Sequence, residues 1–267
     1  MNVLSDPAAR IVIGHRGAAA HFPENTAPSF DHAVSLGVDA IEFDLRVSRD
    51  GVVVVNHDPT VDRTTGGTGA VADLTLAELK QLDPGAKFTR DGGRTFPWRG
   101  RGLQILTFEE LLARYPSIPL LIEVKVATAA DGARRAIELA RSSERVLMDS
   151  IVCAALSPFQ GSPILTGACY DDVLQILPRA FIGSVPVALR YSAICIPRWY
   201  NGLPIPVRRI ARLARRRGIP THVWTVNEPN AARSLWVAGI NGIISDDPET
   251  MLGVRRALLA EAQSGSV

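Results

Sequence analysis

Short runs of β-branched residues alternate with helical patterns along nearly the whole chain, and no other feature constrains the fold as much. Repeated strand and helix units of this kind are typical of a parallel sheet covered by helices. With 267 residues, 46% of them hydrophobic, the chain can bury a large core and has the length of a single α/β barrel. We therefore predict an α/β fold with one domain over residues 1–267.

The alternation offers nine candidate strands for the eight positions of a closed parallel barrel, so at least one of these strand predictions is wrong. The candidates are Ile11–Gly14, Ala40–Leu45, Val52–Asn56, Leu120–Val124, Val146–Val152, Ile164–Gly167, Ala193–Ile196, Thr221–Thr225 and Gly242–Ser245. Helical patterns separate them at Thr26–Leu36, Phe108–Tyr115, Asp131–Arg141, Ile205–Arg217, Pro229–Ala238 and Pro248–Ala262. Residues 58–104 break the rhythm and are rich in Gly and Arg, which predicts an insertion after the third strand.

Composition narrows the class of protein and its compartment. The formal net charge of +2 is too small for a typical nucleic-acid binder, so we expect no nucleic-acid partner. The three cysteines, Cys153, Cys169 and Cys195, form no CxxC motif, and we predict buried free thiols rather than a disulfide or a zinc site. The N-terminus has no basic and apolar leader, and no apolar run is long enough for a membrane span. We therefore expect a soluble cytoplasmic protein.

Charged or titratable side chains stand at the C-terminal end of each of the first four candidate strands. They are His15 and Arg16 after the first strand, Glu42 and Asp44 on the second, His57 after the third, and Glu123 and Lys125 on the fourth. Residues two apart in a strand share a face, and the C-terminal ends of barrel strands meet at one rim. We therefore expect these side chains to lie close together, although each one alone could be a surface ion pair or a core residue.

Such a group of side chains points to phosphate-ester chemistry. Three carboxylates at one place need a cation to stay ionised, and an all-oxygen ligand set favours Mg²⁺ or Ca²⁺ over zinc. Two histidines beside the cation would supply a proton donor and a proton acceptor near neutral pH. Arg16 and Lys125 would add cationic hydrogen-bond donors for an anionic group such as phosphate.

Seven motifs in order resemble those of the glycerophosphodiester phosphodiesterase family. They are HRG at His15–Gly17, PENT at Pro23–Thr26, ExD at Glu42–Asp44, HD at His57–Asp58, ExK at Glu123–Lys125, VWTVN at Val223–Asn227 and GIISDDP at Gly242–Pro248. The resemblance implies a (β/α)8 TIM barrel with a small insertion after the third strand. It also implies metal-dependent hydrolysis of glycerophosphodiesters to glycerol 3-phosphate and an alcohol.

The resemblance implies a role for each matching residue. The two histidines, His15 and His57, resemble the general acid and base, and the three carboxylates Glu42, Asp44 and Glu123 resemble ligands of one divalent cation. Arg16 and Lys125 resemble the phosphate contacts. Glu24 is similar to a residue that lines the site and holds a substrate hydroxyl or orients Arg16, and Trp224 is similar to an aromatic wall over the glycerol or the leaving group. A plain core aromatic is the alternative for Trp224.

Three questions stay open at the level of sequence. The first concerns the far wall of the pocket, because the fifth strand ends in Ser150-Ile151 followed by an apolar run, where the family has Ser-Phe. Residues 198–217 combine an apolar, aromatic rim loop at Trp199–Ile205 with an arginine-rich helix, which suggests a lysophospholipid substrate and peripheral membrane contact, or simply a solvated barrel helix. A phosphodiesterase for another diester and a non-catalytic barrel that acts as a binding module are the further alternatives.

Overall fold

The computed structural model of the chain describes residues 2–184 and 189–264. The strands in this part of the chain are β1 (Ile11–His15), β2 (Ala40–Val47), β3 (Val53–Val55), β4 (Leu120–Val124), β5 (Val146–Asp149), β6 (Leu165–Thr166), β7 (Ile194–Pro197), β8 (Trp199–Tyr200), β9 (Leu203–Pro204), β10 (Thr221–Trp224) and β11 (Gly242–Ser245). Eight of them pair in parallel in the order β6-β5-β4-β2-β1-β11-β10-β7. A parallel bridge between Gly167 and Ala193 joins the two ends, so the sheet closes into the predicted barrel.

Apart from the short helix at Leu76–Leu79 in the segment 58–104, the helices follow barrel strands and cover the outside of the sheet. They are α1 (Ala27–Ser35), α2 (Leu76–Leu79), α3 (Phe108–Arg114), α4 (Ala130–Leu139), α5 (Tyr170–Ile182), α6 (Val207–Arg215), α7 (Pro229–Val237) and α8 (Pro248–Ser264). Sequence reasoning missed α5, which carries Pro178 in its interior, where proline normally ends a helix. None of the helices in residues 2–184 and 189–264 has the length and hydrophobicity needed to cross a bilayer.

The third candidate strand is the one that lies outside the ring. β3 runs antiparallel to β2, with Val55 opposite Leu45 and Val53 opposite Val47. The prediction of a parallel barrel strand at Val52–Asn56 is therefore wrong, because a run of valines fits either direction of pairing. The segment that breaks the rhythm does follow this strand, and between residues 58 and 104 it forms α2 and a 3-10 turn at Val71–Asp73.

The interior of the barrel explains where the polar side chains go. Its lower part is a compact apolar cluster made of Ile11, Ile13, Ala40, Leu121, Leu147, Ala193, Cys195 and Ile244, with Leu4 beneath it. Side chains alternate along a strand, so the next inward position lies at the C-terminal rim. Those positions are His15 on β1, Glu42 and Asp44 on β2, Glu123 on β4, Asp149 on β5, Trp224 on β10 and Asp246 just after β11. The candidate site is therefore the upper layer of the barrel interior.

The arginine-rich helix α6 packs as an ordinary barrel helix. Its side chains Ile210, Leu213 and Ala214 are buried against the sheet, while its arginines are exposed. The preceding segment, predicted as a rim loop, forms the β8-β9 hairpin, with Trp199 opposite Pro204 and both strands exposed.

Two of the three cysteines are joined, which contradicts the prediction of free thiols. Cys153 and Cys169 form a disulfide, while Cys195 is free and buried, as expected. Cys153 opens a 3-10 segment, Cys153–Phe159, and Cys169 stands immediately before α5. The pairing depends on how the chain returns through β6, which spacing alone does not reveal.

Candidate active site

The first loop of the site owes its shape to two glycines. Gly17 has φ +90°, and a Cβ placed on it would lie 2.4 Å from Ser29 Oγ. A Cβ on Gly14 would lie 2.4 Å from the carbonyl oxygen of Gly17. Arg16 between them has φ +49°, a left-handed conformation that is costly for a side chain of its size. The close turn explains why the HRG sequence follows the glycine at the end of the first strand.

Three carboxylates meet where β2 and β4 pair. Asp44 is the register partner of Glu123, and Glu42 lies one inward position below Asp44 on the same strand. One oxygen of each carboxylate lies within 4.8 Å of the others, so the predicted triad is a group that could hold a metal ion. Oxygen ligands alone suit the hard cations Mg²⁺ and Ca²⁺.

Burial and neighbouring charges separate the pKa values of two of these carboxylates. Burial and the charge of Asp44 raise the pKa of Glu42 to about 7. Burial also acts to raise the pKa of Asp44, but the positive charges of Lys125 and Arg16 outweigh it and lower that pKa to about 2. Without a cation, we therefore expect Asp44 to be ionised and Glu42 to be about half protonated at neutral pH.

The two predicted phosphate contacts lie against the triad. Lys125 Nζ is 3.0 Å from Asp44 Oδ1 and 2.7 Å from Glu123 Oε2. Arg16 Nε is 3.3 Å from Asp44 Oδ2, and the backbone N–H of Arg16 donates to Glu42 Oε2 at 3.0 Å. Asn25 of the PENT motif also donates to Asp44 Oδ2, at 2.9 Å.

Each predicted catalytic histidine has a carboxylate on its Nδ1. His15 Nδ1 lies 2.6 Å from Asp246 Oδ1, and His57 Nδ1 lies 2.6 Å from Asp58 Oδ1. Both rings line one polar cavity, and His15 Nε2 is 3.9 Å from Glu42 Oε2. A carboxylate on Nδ1 orients the ring and leaves Nε2 as the nitrogen available to a substrate.

The surroundings move the pKa values of the two histidines in opposite directions. Burial acts to lower the pKa of His15, but the hydrogen bond to Asp246 and the charge of Glu42 outweigh it, so the pKa is raised. Burial lowers the pKa of His57, and the charges of Arg16 and Lys125 oppose the effect of Asp44. Near neutral pH, His15 is the better proton donor and His57 the better proton acceptor.

β3 delivers His57 by a different path from the one predicted. The chain extends beyond the rim along β2 and returns toward it along the antiparallel strand β3. After this return, the backbone N–H of Asn56 donates to the carbonyl of Asp44 at 3.0 Å. Arg46 Nε donates to the carbonyl of His57 at 2.8 Å. The hairpin therefore places His57 beside the triad although its strand is not part of the barrel.

Comparisons with known proteins agree with these motifs. Residues 15–147 and 177–250 match the sequence profile of the glycerophosphoryl diester phosphodiesterase family. A glycerophosphodiester phosphodiesterase of Caldanaerobacter subterraneus subsp. tengcongensis is 32% identical over 263 residues, which covers 92% of this chain and 98% of the relative. The chain belongs to the glycerophosphodiester phosphodiesterase family.

Solved structures support the fold of this family member. The glycerophosphoryl diester phosphodiesterase domain of a Mycobacterium tuberculosis protein superposes with a TM-score of 0.82 at 19% identity, over 92% of this chain and 99% of that one. An Oleispira antarctica phosphodiesterase, solved in complex with the product sn-glycerol 3-phosphate, superposes with a TM-score of 0.69 at 24% identity. That match covers 93% of this chain and 97% of the other.

Glu24 lies behind the cavity of this phosphodiesterase-family site rather than in its wall. Its carboxylate accepts hydrogen bonds from Arg16 Nη1 at 2.8 Å and from both terminal nitrogens of Arg63, at 2.6 and 2.7 Å. Arg63 Nε donates to Asp58 Oδ2 at 2.6 Å, so the inserted segment ties Glu24 to the His57 pair. The geometry favours orientation of Arg16 over a contact with a substrate hydroxyl. Sequence reasoning did not single out Arg63.

A fourth acidic residue, Asp149, was missed at the end of β5. It is the register partner of Glu123, and among the described residues its buried Oδ1 has no hydrogen-bond partner. Burial and the charge of Glu123 raise its pKa well above the ordinary value. Gly167 makes room for it, because a Cβ there would lie 2.1 Å from Oδ1. The alternation of inward-facing and outward-facing side chains along β5 could have identified Asp149 from the sequence.

Two cavities share a wall in this part of the barrel. The polar cavity, about 170 Å³, holds the histidines, and an adjoining apolar cavity of about 330 Å³ lies between α5 and the β8-β9 hairpin. Trp224 and Asp149 line both. The apolar cavity is built largely from residues 148–206, and the stretch 148–176 lies outside the family match, which agrees with the weaker resemblance of this region.

Proposed function

We propose that this family member hydrolyses glycerophosphodiesters to glycerol 3-phosphate and an alcohol, with one divalent cation, Mg²⁺ or Ca²⁺, bound by Glu42, Asp44 and Glu123. The observation that carries the proposal is the joint placement of an oxygen triad and two carboxylate-held histidines at one rim. The donor set fits the ion, because all three ligands are oxygens and the buried carboxylates lack a full complement of positive charge. When bound, the cation supplies Lewis-acid stabilisation of charge on the phosphoryl oxygens.

The side chains around the triad provide the other functions. Arg16 and Lys125 point donors at the same region and bind the remaining phosphoryl oxygens, where they stabilise the charge that develops in the transition state. Glu24 holds Arg16 in this orientation. Trp224 forms the wall between the two cavities and packs against the glycerol or the leaving group.

The pKa values favour one assignment of the proton transfers. His57, with a lowered pKa, accepts the proton of the nucleophile at Nε2, whether that nucleophile is water or the glycerol 2-hydroxyl of the substrate. Attack by the 2-hydroxyl would expel the alcohol and leave a cyclic phosphodiester, which water would then open to glycerol 3-phosphate. His15, with a raised pKa, donates a proton from Nε2 to the departing alkoxide. Asp58 and Asp246 keep the two rings oriented and stabilise their protonated forms.

Release of sn-glycerol 3-phosphate from glycerophosphocholine tests the proposal. We expect release with Mg²⁺ or Ca²⁺ and none with a chelator. His15→Ala and His57→Ala should lower kcat by about 10²–10⁴, the usual contribution of a general acid or base. His32→Ala, on the outer helix α1, is the matched control and should stay active. Chelator-resistant release, or an active His57→Ala variant, would refute the assignment.

The apolar cavity favours a second candidate function, lysophospholipase D-type activity on lysophospholipids. It adjoins the polar cavity, and its walls include Val173, Leu174 and Leu177 of α5, so an acyl chain placed there would leave water while the phosphate stays at the rim. We expect Leu174→Glu to lower kcat/KM for lysophosphatidylcholine about 10- to 100-fold. Its kcat/KM for glycerophosphocholine should stay constant, as should both values in the control Leu139→Glu on α4. Equal loss for both substrates would contradict this role.

The remaining interpretations are separated by the same assays. A non-catalytic binding module would show neither release nor a need for the cation, and the complete set of motif residues at the rim speaks against it. We also propose that residues 1–267 form a single domain with the insertion at 58–104. A cytoplasmic location stays a prediction, and the Cys153–Cys169 disulfide counts against it, because such bonds persist mainly in oxidising compartments.

A further inference from the structure

Positive charge is concentrated in one part of the chain. Between Asp172 and Glu228 there are nine arginines and no acidic residue or lysine. This segment therefore carries a formal charge of +9, and the rest of the chain carries −7, because the total is +2. In the part of the chain that the structure describes, Arg198 alone among the nine has an acidic partner, Glu228, through an exposed contact of 3.0 Å. Seven of the nine arginines are exposed, so most of this positive charge faces solvent.

Large apolar side chains are exposed in the same segment, around the mouth of the apolar cavity. Phe181 and Ile182 at the end of α5 are 58% and 77% exposed, and Trp199 and Leu203 on the β8-β9 hairpin are 59% and 69% exposed. Leu174 of α5 is also exposed. Helix and hairpin form two sides of the cavity, so its opening is surrounded by apolar groups. Soluble proteins rarely expose a contiguous group of this kind without a function.

Three of these arginines lie near the residues that surround this apolar mouth. The Arg209 guanidinium is 4.9 Å from the centre of the Phe181 ring. Arg198 and Arg208 share a surface groove with Trp199 on the other side of the hairpin. Apolar groups next to arginines form the pattern by which a peripheral protein inserts side chains into a bilayer and contacts anionic headgroups.

We propose that the mouth of the apolar cavity is a docking surface for an anionic lipid bilayer, formed by the end of α5, the β8-β9 hairpin and the arginines at the start of α6. Leu174, Ile182 and Leu203 favour a bilayer over a nucleic acid, because aliphatic side chains have no base or phosphate to contact. Docking would turn the cavity opening toward the lipids, so that an acyl chain enters without crossing water. This purpose rests on the proposed lysophospholipid activity, whereas docking itself does not.

Sedimentation with vesicles tests the docking surface without any catalysis. The protein of residues 1–267, with chelator, is mixed with vesicles of phosphatidylcholine alone or of phosphatidylcholine and phosphatidylglycerol in equal parts. We expect binding to the anionic vesicles, weakened by salt, and little binding to the neutral ones. Replacement of Arg208 or Arg209 by Gln should weaken binding about fivefold each, the effect of one basic residue near an anionic surface.

Two exposed apolar residues that do not line the cavity give the sharper test. Trp199→Ser and Ile182→Ser should each lose most of the vesicle binding, while Leu139→Ser, an exposed site on α4, should bind like the wild type. Hydrolysis of soluble glycerophosphocholine without vesicles should be unchanged in all three, which reports on folding. His57→Ala should bind vesicles normally, so failure of the proposed catalysis and failure of docking are seen separately.

Three outcomes would overturn the proposal. They are the absence of binding to anionic vesicles, equal binding by the wild type and the Trp199 and Ile182 variants, and equally tight binding to single-stranded DNA. The last result would assign the arginines to a general polyanion surface.

Discussion

We expect the affinity of the acidic triad for the proposed divalent cation to fall as the pH falls through neutrality, because of Glu42. A carboxyl group has to lose its proton to bind a metal ion, so protons and cation compete wherever the metal-free pKa lies in the range studied. Burial beside Asp44 raises the pKa of Glu42 to about 7, whereas that of Asp44 is about 2. We therefore expect Glu42 to titrate between pH 6 and 8 and Asp44 to stay ionised there.

The magnitude follows from the pKa of Glu42. A group with a pKa of about 7 is half protonated at pH 7 and about nine-tenths protonated at pH 6. The apparent Kd for the cation should therefore rise about tenfold from pH 8 to pH 6, equivalent to about 1.4 kcal/mol of binding free energy. At pH 7, binding should release about half a proton.

Isothermal titration calorimetry at pH 6, 7 and 8, in buffers of different ionisation enthalpy, measures both quantities. Glu42→Gln should weaken binding and flatten the pH dependence, with any remainder due to His15, whose Nε2 lies 3.9 Å from Glu42. Glu138→Gln, an exposed carboxyl on α4 paired with Arg134, should behave like the wild type. A constant Kd from pH 8 to pH 6, or a full pH dependence in Glu42→Gln, would refute the reasoning.

Further predictions concern the pair of His15 and Asp246, the buried ammonium group of Lys125 and the cysteine thiols. Asp246→Asn should move the basic limb of the pH profile of kcat/KM to lower pH, because Asp246 raises the pKa of His15, the proposed general acid, and so keeps it protonated; an unmoved limb would contradict this. Lys125→Met should lower the free energy of unfolding by about 3 kcal/mol in chelator, because Asp44 stays buried with less positive charge. Thermal melts should show that Lys125→Met loses less stability with saturating Ca²⁺ than with chelator. An equal loss of stability in the two conditions would argue against the cation site. In non-reducing denaturant one thiol per chain, Cys195, should react with Ellman's reagent, and three should react after reduction.

Sequence patterns were most informative where local periodicity and short motifs carry the information. The bounds of β4 and β11 agree with the predicted runs, and the inward parity of β2 places Glu42 and Asp44 on one face of the strand. The closed parallel barrel then brings these residues to the rim beside His15 and Glu123. Each of these steps depends on the spacing of residues that lie a few positions apart, and this spacing can be read directly from the amino-acid sequence.

The direction of β3 and the pairing of the cysteines were beyond such patterns. A short valine run pairs equally well in either direction, and only its place beside β2 selects the antiparallel one. Cys153 and Cys169 meet because the chain turns back through β6. The outer wall of the apolar cavity depends on α5, a helix that local patterns did not predict because it contains a proline.

The barrel and the types of side chain at its rim can therefore be predicted from local patterns, because alternation along a strand is a local property. How those side chains act together depends on the three-dimensional fold. Asp246 reaches His15 across 231 positions of sequence because β11 closes the barrel against β1. The raised pKa of Glu42 likewise arises from burial and from the carboxylate of Asp44. Charges and cavities of this kind depend on long-range packing, which no short stretch of sequence records.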